Sequence, residues 1–503
     1  MEQQSPTHRY ITTTLPYVND KPHMGHALEF VQADALARAW RLLGDEVFFT
    51  TGTDEHGQKI AQKAAESGCE VQEYVDDYAA RFKELHAKLN LSNDAFVRTT
   101  DPAHKAAAGE MWRRCMANVD EQGRPDIYRK KYKGLYCVGD EMFMKENDVV
   151  DGKCPNHPTM PLQEIEEENY FFRLSRYQHR LTEYLSREEV IMPESRRKEA
   201  LAFVAHGLED FSISREKARM SWGIPVPNDE SQVMYVWFDA LTNYISTLGW
   251  GSDDENNFKK FWEHGETLQL AGKDQVRFQS IMWQAMLMSA KLPTTNTVFY
   301  HGFLTSGGQK MSKSIGNVID PVEVVDLFKD VALYPEDVLR FVLLHDVSST
   351  EDSDITLEGI KQSYAGHLQN GLGNLVSRIM KMATQYLTQT EVQAHLGLYE
   401  FSDTASSELK TLHNHIATYR FDRAMQVIVD QMKKQDELIA VEEPFKVIKI
   451  NIQKGKEMIL NRLQGIWRIS VMLQPFLPRT ATEIQRLIRE HHMPEKPLFG
   501  RLS

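Results

Sequence analysis

The stretch between residues 10 and 51 constrains the fold more than any other part of the chain. Residues 10–15 read as a strand, because Ile11 and the threonines Thr12, Thr13 and Thr14 are β-branched. Pro16, Asn19, Asp20 and Pro22 then break the chain into a loop. The spacing predicts a helix over 23–43, where Ala27, Val31, Ala35, Ala39 and Leu43 recur every four residues as one buried stripe and Gly44 provides a stop. Residues 47–51 read as a second strand. Strand, helix and strand in so short a span form a βαβ unit, and hence a parallel sheet. Ligands of such sheets bind at the carboxyl ends of the strands.

Two polar clusters fall at those ends. His23-Met24-Gly25-His26 opens the helix, where free N–H groups and positive potential suit a phosphate. The two imidazoles add donors, and Gly25 lets a flat base approach the backbone. By itself H-x-G-H is a short pattern, as compatible with chance as with a site. The second cluster, Thr51-Gly52-Thr53-Asp54-Glu55-His56-Gly57, follows the second strand. Asp54 can hold an ammonium group through a charge-assisted hydrogen bond, and an aspartate there can equally be a helix cap.

Far downstream, Gly307-Gly308-Gln309-Lys310-Met311-Ser312-Lys313-Ser314 follows a predicted strand at 297–303. Two glycines, two lysines and two serines make a mobile, cationic loop able to close over a triphosphate and stabilise a leaving pyrophosphate. A solvated lysine turn has the same composition. The string KMSKS is specific, however, and its pairing with an upstream H-x-G-H resembles the signature of class I aminoacyl-tRNA synthetases.

Within that class the chain is similar to the methionyl family. Leu15-Pro16-Tyr17-Val18-Asn19 runs into the histidine cluster, and residues 51–57, 210–215 (DFSISR), 235–241 (YVWFDAL) and 272–274 (GKD) match further blocks in order. The resemblance covers about residues 10–450. It implies that ATP lies against His23, Gly25, His26, Gly272 and Asp274, with Lys310 and Lys313 closing over its phosphates and magnesium accompanying them. It implies that Asp54 binds the methionine ammonium and Arg215 its carboxylate. The side-chain pocket would be Leu15, Tyr17, Trp237, Ala240, Leu241 and Tyr244, suited to a flexible, polarizable thioether. Trp237 and Tyr244 could also be plain core aromatics. The chain departs from the family at Gln275 and Gln279, where isoleucine and histidine are usual, and at Gln284, where proline is. Two amides on one helix face would make that wall more polar, unless they turn away or bond to each other.

Cys137-x2-Asp140-x13-Cys154-x2-His157 resembles the family's zinc knuckle with Asp140 in place of a cysteine. Zinc accepts S, O, S, N ligation, and a metal-free relic is the alternative. Cys69 and Cys115 lack such spacing. Four cysteines are too few for a disulfide scaffold. With no apolar run of membrane length and no signal pattern after Met1, a cytoplasmic protein is expected. The net charge of −13 repels a polyanion, so any RNA must meet a local basic surface. Residues 129–133 (RKKYK) and 196–198 (RRK) are candidates, unless they are solvated, paired charges.

The chain of 503 residues is too long for one core. The expected fold class is α/β, a Rossmann-like doubly wound parallel sheet with an inserted connective domain and a C-terminal α-helical bundle. Residues 1–116 and 230–300 form the two halves of the sheet domain, 117–229 the insertion, 301–356 the KMSKS-bearing stem-contact segment, and 357–503 the bundle. By resemblance the bundle reads the anticodon of tRNA(Met) through Asn374 and Arg378, four apart on a helix, with Phe445 as a stacking platform. Phe445 is otherwise a bundle-core residue. With no dimerising domain after Phe499, a monomer is expected. The activity implied is ATP-dependent activation of methionine and its transfer to tRNA. Three rivals share parts of the pattern. A synthetase for another apolar amino acid would carry a larger editing insertion, or, in the cysteinyl case, zinc ligands in the amino-acid site. A small-molecule nucleotidyltransferase would not need the bundle. A non-catalytic tRNA-binding paralogue is opposed by intact His23, His26, Lys310 and Lys313.

Overall fold

In a computed structural model, the structure describes residues 6–138, 142–144, 149–155, 160–311, 317–396, 399–403 and 405–502. Strand β1 (His8–Thr12), helix α1 (Met24–Leu42) and strand β2 (Glu46–Thr53) form the anticipated βαβ unit. Strands β3 (Ala95–Arg98), β4 (Ile191–Met192), β5 (Glu266–Gly272) and β6 (Thr297–His301) complete a sheet ordered β3-β2-β1-β5-β6-β4. Every pairing is parallel. The chain winds outward from β1 in one direction, then restarts beside β1 with β5. Helices therefore cover both faces and a crevice opens between the ends of β1 and β5. Alternation along the strands separates two cores: Ile11 and Phe299 join α1 on one face, and Tyr10, Val298 and Tyr300 join Trp112, Tyr244 and Trp283 on the other.

Two local expectations change. Residues 13–15 leave the ladder after Thr12 as extended loop, because the chain must turn toward α1. The stripe ends at Ala39, since Leu43 is 38% exposed where it caps the helix. Helix α1 is also buried beyond that stripe: Glu29, Gln32 and Asp34 are all covered, Glu29 against Thr14 and His301 and Asp34 beneath a second helix, Pro335–His345.

Residues 117–229 build an antiparallel sheet from Ile127–Cys137, Met142–Met144, Gln163–Phe172 and Phe211–Ser212. The same stretch also supplies β4 at the edge of the main sheet. Its helices Gln178–Ser186 and Glu194–Ala205 place Leu181, Leu185, Ala200 and Val204 in the core that holds Tyr300. The insertion is thus no separate body throughout, and a two-residue strand is too short for periodicity to reveal. Both basic runs are paired. Arg129 lies 3.5 Å from Glu168 and Lys133 2.7 Å from Glu164 on the neighbouring strand, and Arg196, Arg197 and Lys198 face Glu194 and Glu199.

The lysine loop begins as a hairpin of Leu304–Ser306 and Gln309–Lys310. Gly307 (φ +64°) and Gly308 (φ +73°) form its turn, and two positive φ angles are what a two-residue hairpin connection of this hand requires. Asp354 Oδ1 accepts from Gly308 N–H and Thr305 Oγ1 at 2.8 Å each, and Asn317 donates to Ser306 O, so the base of the loop is pinned where free motion was expected. Residues beyond 357 are helical nearly throughout. The long helices Asn374–Tyr386, Phe421–Glu442 and Ile452–Leu473 pack together, with Pro478–Glu490 against them. No helix among the described residues is long and apolar enough to cross a membrane.

Candidate active site

The crevice between β1 and β5 is a cavity of about 450 Å³. Its nucleotide-facing wall starts at α1. His23 is the N-cap, and its Nδ1 accepts from Gly25 N–H at 3.1 Å. His26 Nδ1 accepts from His23 N–H at 3.3 Å, and the two rings stack 3.7 Å apart. A nitrogen that accepts carries no proton, so each neutral ring keeps its proton on Nε2. Burial lowers both pKa values, against Asp20 for His23 and reinforced by His23 and His301 for His26. Two neutral N–H donors therefore line the cavity beside the helix N-terminus. Gly25 also keeps this packing open: a Cβ there would lie 3.0 Å from the His23 ring and displace it slightly.

Asp54 lines the same cavity at the end of β2, its backbone bridged to Tyr17 and Pro16. Its neighbours in the block have other tasks. Glu55 is wholly buried and takes Arg98 in a two-pronged pair at 2.7 and 2.9 Å. His56 Nδ1 lies 3.0 Å from Asp239 Oδ2, and His104 Nε2 3.3 Å from Asp239 Oδ1, tying this block to helix Val236–Leu241. Burial opposes charge on Asp239, yet the two imidazoles outweigh it and lower its pKa. That anchored helix presents Trp237, Ala240 and Leu241 to the cavity, with Tyr244 following. Trp237 stacks on Phe278 at 3.8 Å.

Leu15, Tyr17, Gly272, Asp274, Gln275 and Gln279 also line this space. A Cβ at Gly272 would fall 2.7 Å from Asp274 Oδ1 and push that carboxylate from its present position. Met311, within KMSKS, and Val318, just beyond it, also line the cavity. The backbone of Lys310 ends the hairpin, and Lys313 lies outside the described residues. Arg215 does not line this cavity. Its guanidinium sits between the Tyr136 and Tyr235 rings, Nη1 donates to Ser212 Oγ and Ser214 O, and it borders a separate cavity of about 160 Å³.

Some site residues were not singled out from the sequence. Glu29 Oε1 accepts from Thr14 N–H and Oγ1, and its Oε2 lies 2.9 Å from His301 Nε2. His301 Nδ1 faces Gly302 O at 2.9 Å, so its ring donates from both nitrogens. Burial opposes that charge, but Glu29 outweighs it and raises the pKa of His301. The signal available was position: His301 ends β6 at the carboxyl edge.

In the insertion, Cys137 and Cys154 are buried together with Met144 and are not joined in a disulfide. Two thiols brought into one small cluster fit a metal knuckle; Asp140 and His157 lie outside the described residues. Among the described residues, His345, Asp346 and His367 form another group of possible metal ligands, near the bundle. In the bundle, Asn374 is exposed and Arg378 is paired with Asp436 at 2.9 Å. Phe445 is 39% exposed beside the exposed Val441, Ile450 and Ile452.

A doubly wound sheet with a nucleotide-sized crevice at its switch point, a helix N-terminus and two N–H donors defines a nucleotide-binding α/β enzyme core. The chain matches the family model described as "tRNA synthetases class I (M)" over residues 9–160 and 159–380. It is 39% identical to the methionine–tRNA ligase of Rhizobium meliloti over 95% of this chain and 91% of that one. It is 40% identical to the methionine–tRNA ligase of a Synechocystis species, over 94% and 88%. A solved structure of Mycobacterium tuberculosis methionyl-tRNA synthetase in complex with methionyl-adenylate is similar with a TM-score of 0.85 and 34% identity, covering 96% of this chain and 94% of that one. The chain belongs to the class I tRNA synthetases, and within them to the methionine–tRNA ligase family.

Proposed function

We propose that this chain is a methionine–tRNA ligase, which activates methionine with ATP and transfers it to tRNA(Met). The observation that carries the reading is convergence. Residues about 290 positions apart, the histidine pair and Met311 of KMSKS with Val318 just beyond it, border one cavity with Asp54 and an aromatic side-chain pocket.

Asp54 holds the substrate ammonium, and Leu15, Tyr17, Trp237, Ala240, Leu241, Tyr244, Gln275 and Gln279 surround the side chain. The methionine carboxylate, already ionised at neutral pH, attacks the α-phosphorus of ATP. One P–O bond forms as the bond to the β-phosphate breaks, and pyrophosphate leaves. No protein nucleophile or general base is required, so catalysis is positioning and charge stabilisation. The Nε2–H groups of His23 and His26 donate to the phosphates, Gly25, Gly272 and Asp274 border the nucleoside, and Lys310 and Lys313 cover the leaving group. Magnesium bound with ATP neutralises phosphate charge. The ribose hydroxyl of the terminal adenosine then attacks the adenylate carbonyl and AMP leaves.

At the far end, the apolar patch around Phe445 provides a stacking face for an anticodon base, and Asn374 and Arg378 offer hydrogen bonds to base edges. A structural zinc would be held by Cys137 and Cys154 with Asp140 and His157. The test of the activity is methionine-dependent exchange of pyrophosphate into ATP. Exchange driven better by leucine or cysteine overturns the assignment.

A further inference from the structure

Helix Pro335–His345, which packs on α1, ends in a histidine that is followed by an aspartate. His345 Nδ1 lies 2.6 Å from Asp346 Oδ1. An ionised carboxylate only accepts, so the proton sits on Nδ1, and in the neutral ring Nε2 is a bare lone pair. That Nε2 is buried, and among the described residues it has no hydrogen-bond partner. A buried polar atom in this state is uncommon and calls for a water or an ion.

A second imidazole stands beside it. His367 belongs to Tyr364–Gly373, which is wound as a π-helix, and its ring centroid is 4.8 Å from that of His345. Wide turns of this kind often accompany functional sites. Phe341, one turn before His345, stacks on His345 at 4.8 Å and lies 5.6 Å from His367, so an apolar face closes one side of the pair. Burial holds His367 below its ordinary pKa, and His345 and Lys433 reinforce this against Asp346, so His367 is neutral at pH 7. Donor atoms of His345, Asp346 and His367 lie within 4.8 Å of one another. Small rotations bring them to the bonds of ~2.0–2.2 Å that a metal ion makes with imidazole and carboxylate. The carbonyl end of helix Pro335–His345 adds negative potential there.

We propose that His345, Asp346 and His367 bind one exchangeable divalent transition ion of the zinc class, between helix Pro335–His345 and the segment Tyr364–Gly373. Two nitrogens and one oxygen suit such an ion better than magnesium or calcium, which prefer oxygen throughout. None of the three residues lines the nucleotide-facing cavity, so this site is separate from the candidate active site. Three protein ligands, with Asp346 exposed, hold an ion less firmly than a closed knuckle of four, and gel filtration removes it. Zinc that stays with the purified protein then belongs to the knuckle. When bound, the ion fastens two helical segments together and stabilises the folded chain.

The test is equilibrium dialysis of the full chain, gel-filtered and free of any histidine tag, against cobalt chloride, read together with its visible spectrum. Cobalt should bind at close to one equivalent, without the intense near-ultraviolet band that thiolate ligands give, which sets this uptake apart from Cys137 and Cys154. His367→Ala should abolish the uptake. Asp346→Asn should weaken it by about 10- to 100-fold, the scale for a carboxylate that partners a metal-bound imidazole. Added cobalt should raise the melting temperature of the parent and leave that of His367→Ala unchanged. Should His367→Ala not fold, His367→Gln, which keeps a polar side chain of similar length, decides in its place. Uptake confined to a species with the thiolate band, or uptake and stabilisation equal in the parent and the His367 variant, overturns the site.

Discussion

Asp34 and Arg340 meet at 2.7 Å with both side chains wholly buried. Asp34 lies on α1, the helix that begins at His23, and also takes Arg38 and Ser92. Arg340 lies on helix Pro335–His345 and donates onward to Phe476 O and Pro475 O near the end of the bundle. Burial works against the Asp34 charge, but Arg340 and Arg38 outweigh it and lower its pKa. One guanidinium thus ties the nucleotide-facing helix to the C-terminal helices.

Removing that guanidinium leaves a buried carboxylate short of a partner and takes a donor from three carbonyls, those of Phe476, Pro475 and Leu89. Arg340→Ala should cost about 3–5 kcal/mol, read as a lower urea midpoint. A midpoint unchanged within error contradicts the claim.

Asp337, one turn away, behaves oppositely. Burial raises its pKa to about 6 from 3.8, with Arg340 and Thr480 only partly compensating. Between those values the folded protein holds a proton that the unfolded chain has released. Stability therefore falls as pH rises from about 4 to 6, by on the order of 3 kcal/mol, and stays reduced above. Asp337→Asn should flatten thermal stability over that window and raise it at pH 7 relative to the parent. Parallel curves for the two proteins would refute this.

The histidine pair acts as neutral donors with pKa values below 6.5. Their contribution to methionine activation should be flat between pH 8 and 6.5 and decline only below. His26→Ala should lower the exchange rate by about 100-fold, the effect of losing one preorganised donor. A fall in rate between pH 8 and 7 that disappears in His26→Ala would show a titrating, higher-pKa imidazole instead.

Metal content separates the knuckle from the other ligand cluster. Protein prepared without chelators should carry close to one equivalent of zinc by elemental analysis, lost in Cys137→Ser and kept in His367→Ala. Zinc below about a tenth of an equivalent favours a metal-free knuckle.

At the bundle, Phe445→Ala should reduce aminoacylation of tRNA by about 10-fold, within the range for one base stacked on an aromatic ring, and leave methionine-dependent exchange intact. Equal losses in both assays would point to a folding defect.

Much of the site was readable from residue order. The β-branched run, the proline-broken loop and the four-residue stripe located β1, α1 and β2, and put His23, His26 and Asp54 at strand ends, where they line the cavity. Local rules reach that far because strand, cap and helix signals act over a few neighbours. They did not reach β4, two residues long, nor the pinning of the hairpin by Asp354, 46 positions beyond Gly308. The pairing of His301 with Glu29 spans 272 positions and left no periodic trace.

Sequence by itself determined the parallel α/β core, the helical C-terminal bundle and the pocket-lining residue types, because these follow from periodicity and short motifs. Only the tertiary structure decided which polar residues converge. Arg215, expected in the site, is held between two rings, while Gln279, expected to make the wall more polar, bonds to Gln269 and Tyr244. Hydrogen-bond partners are groups that folding brings together, and no residue carries that information alone.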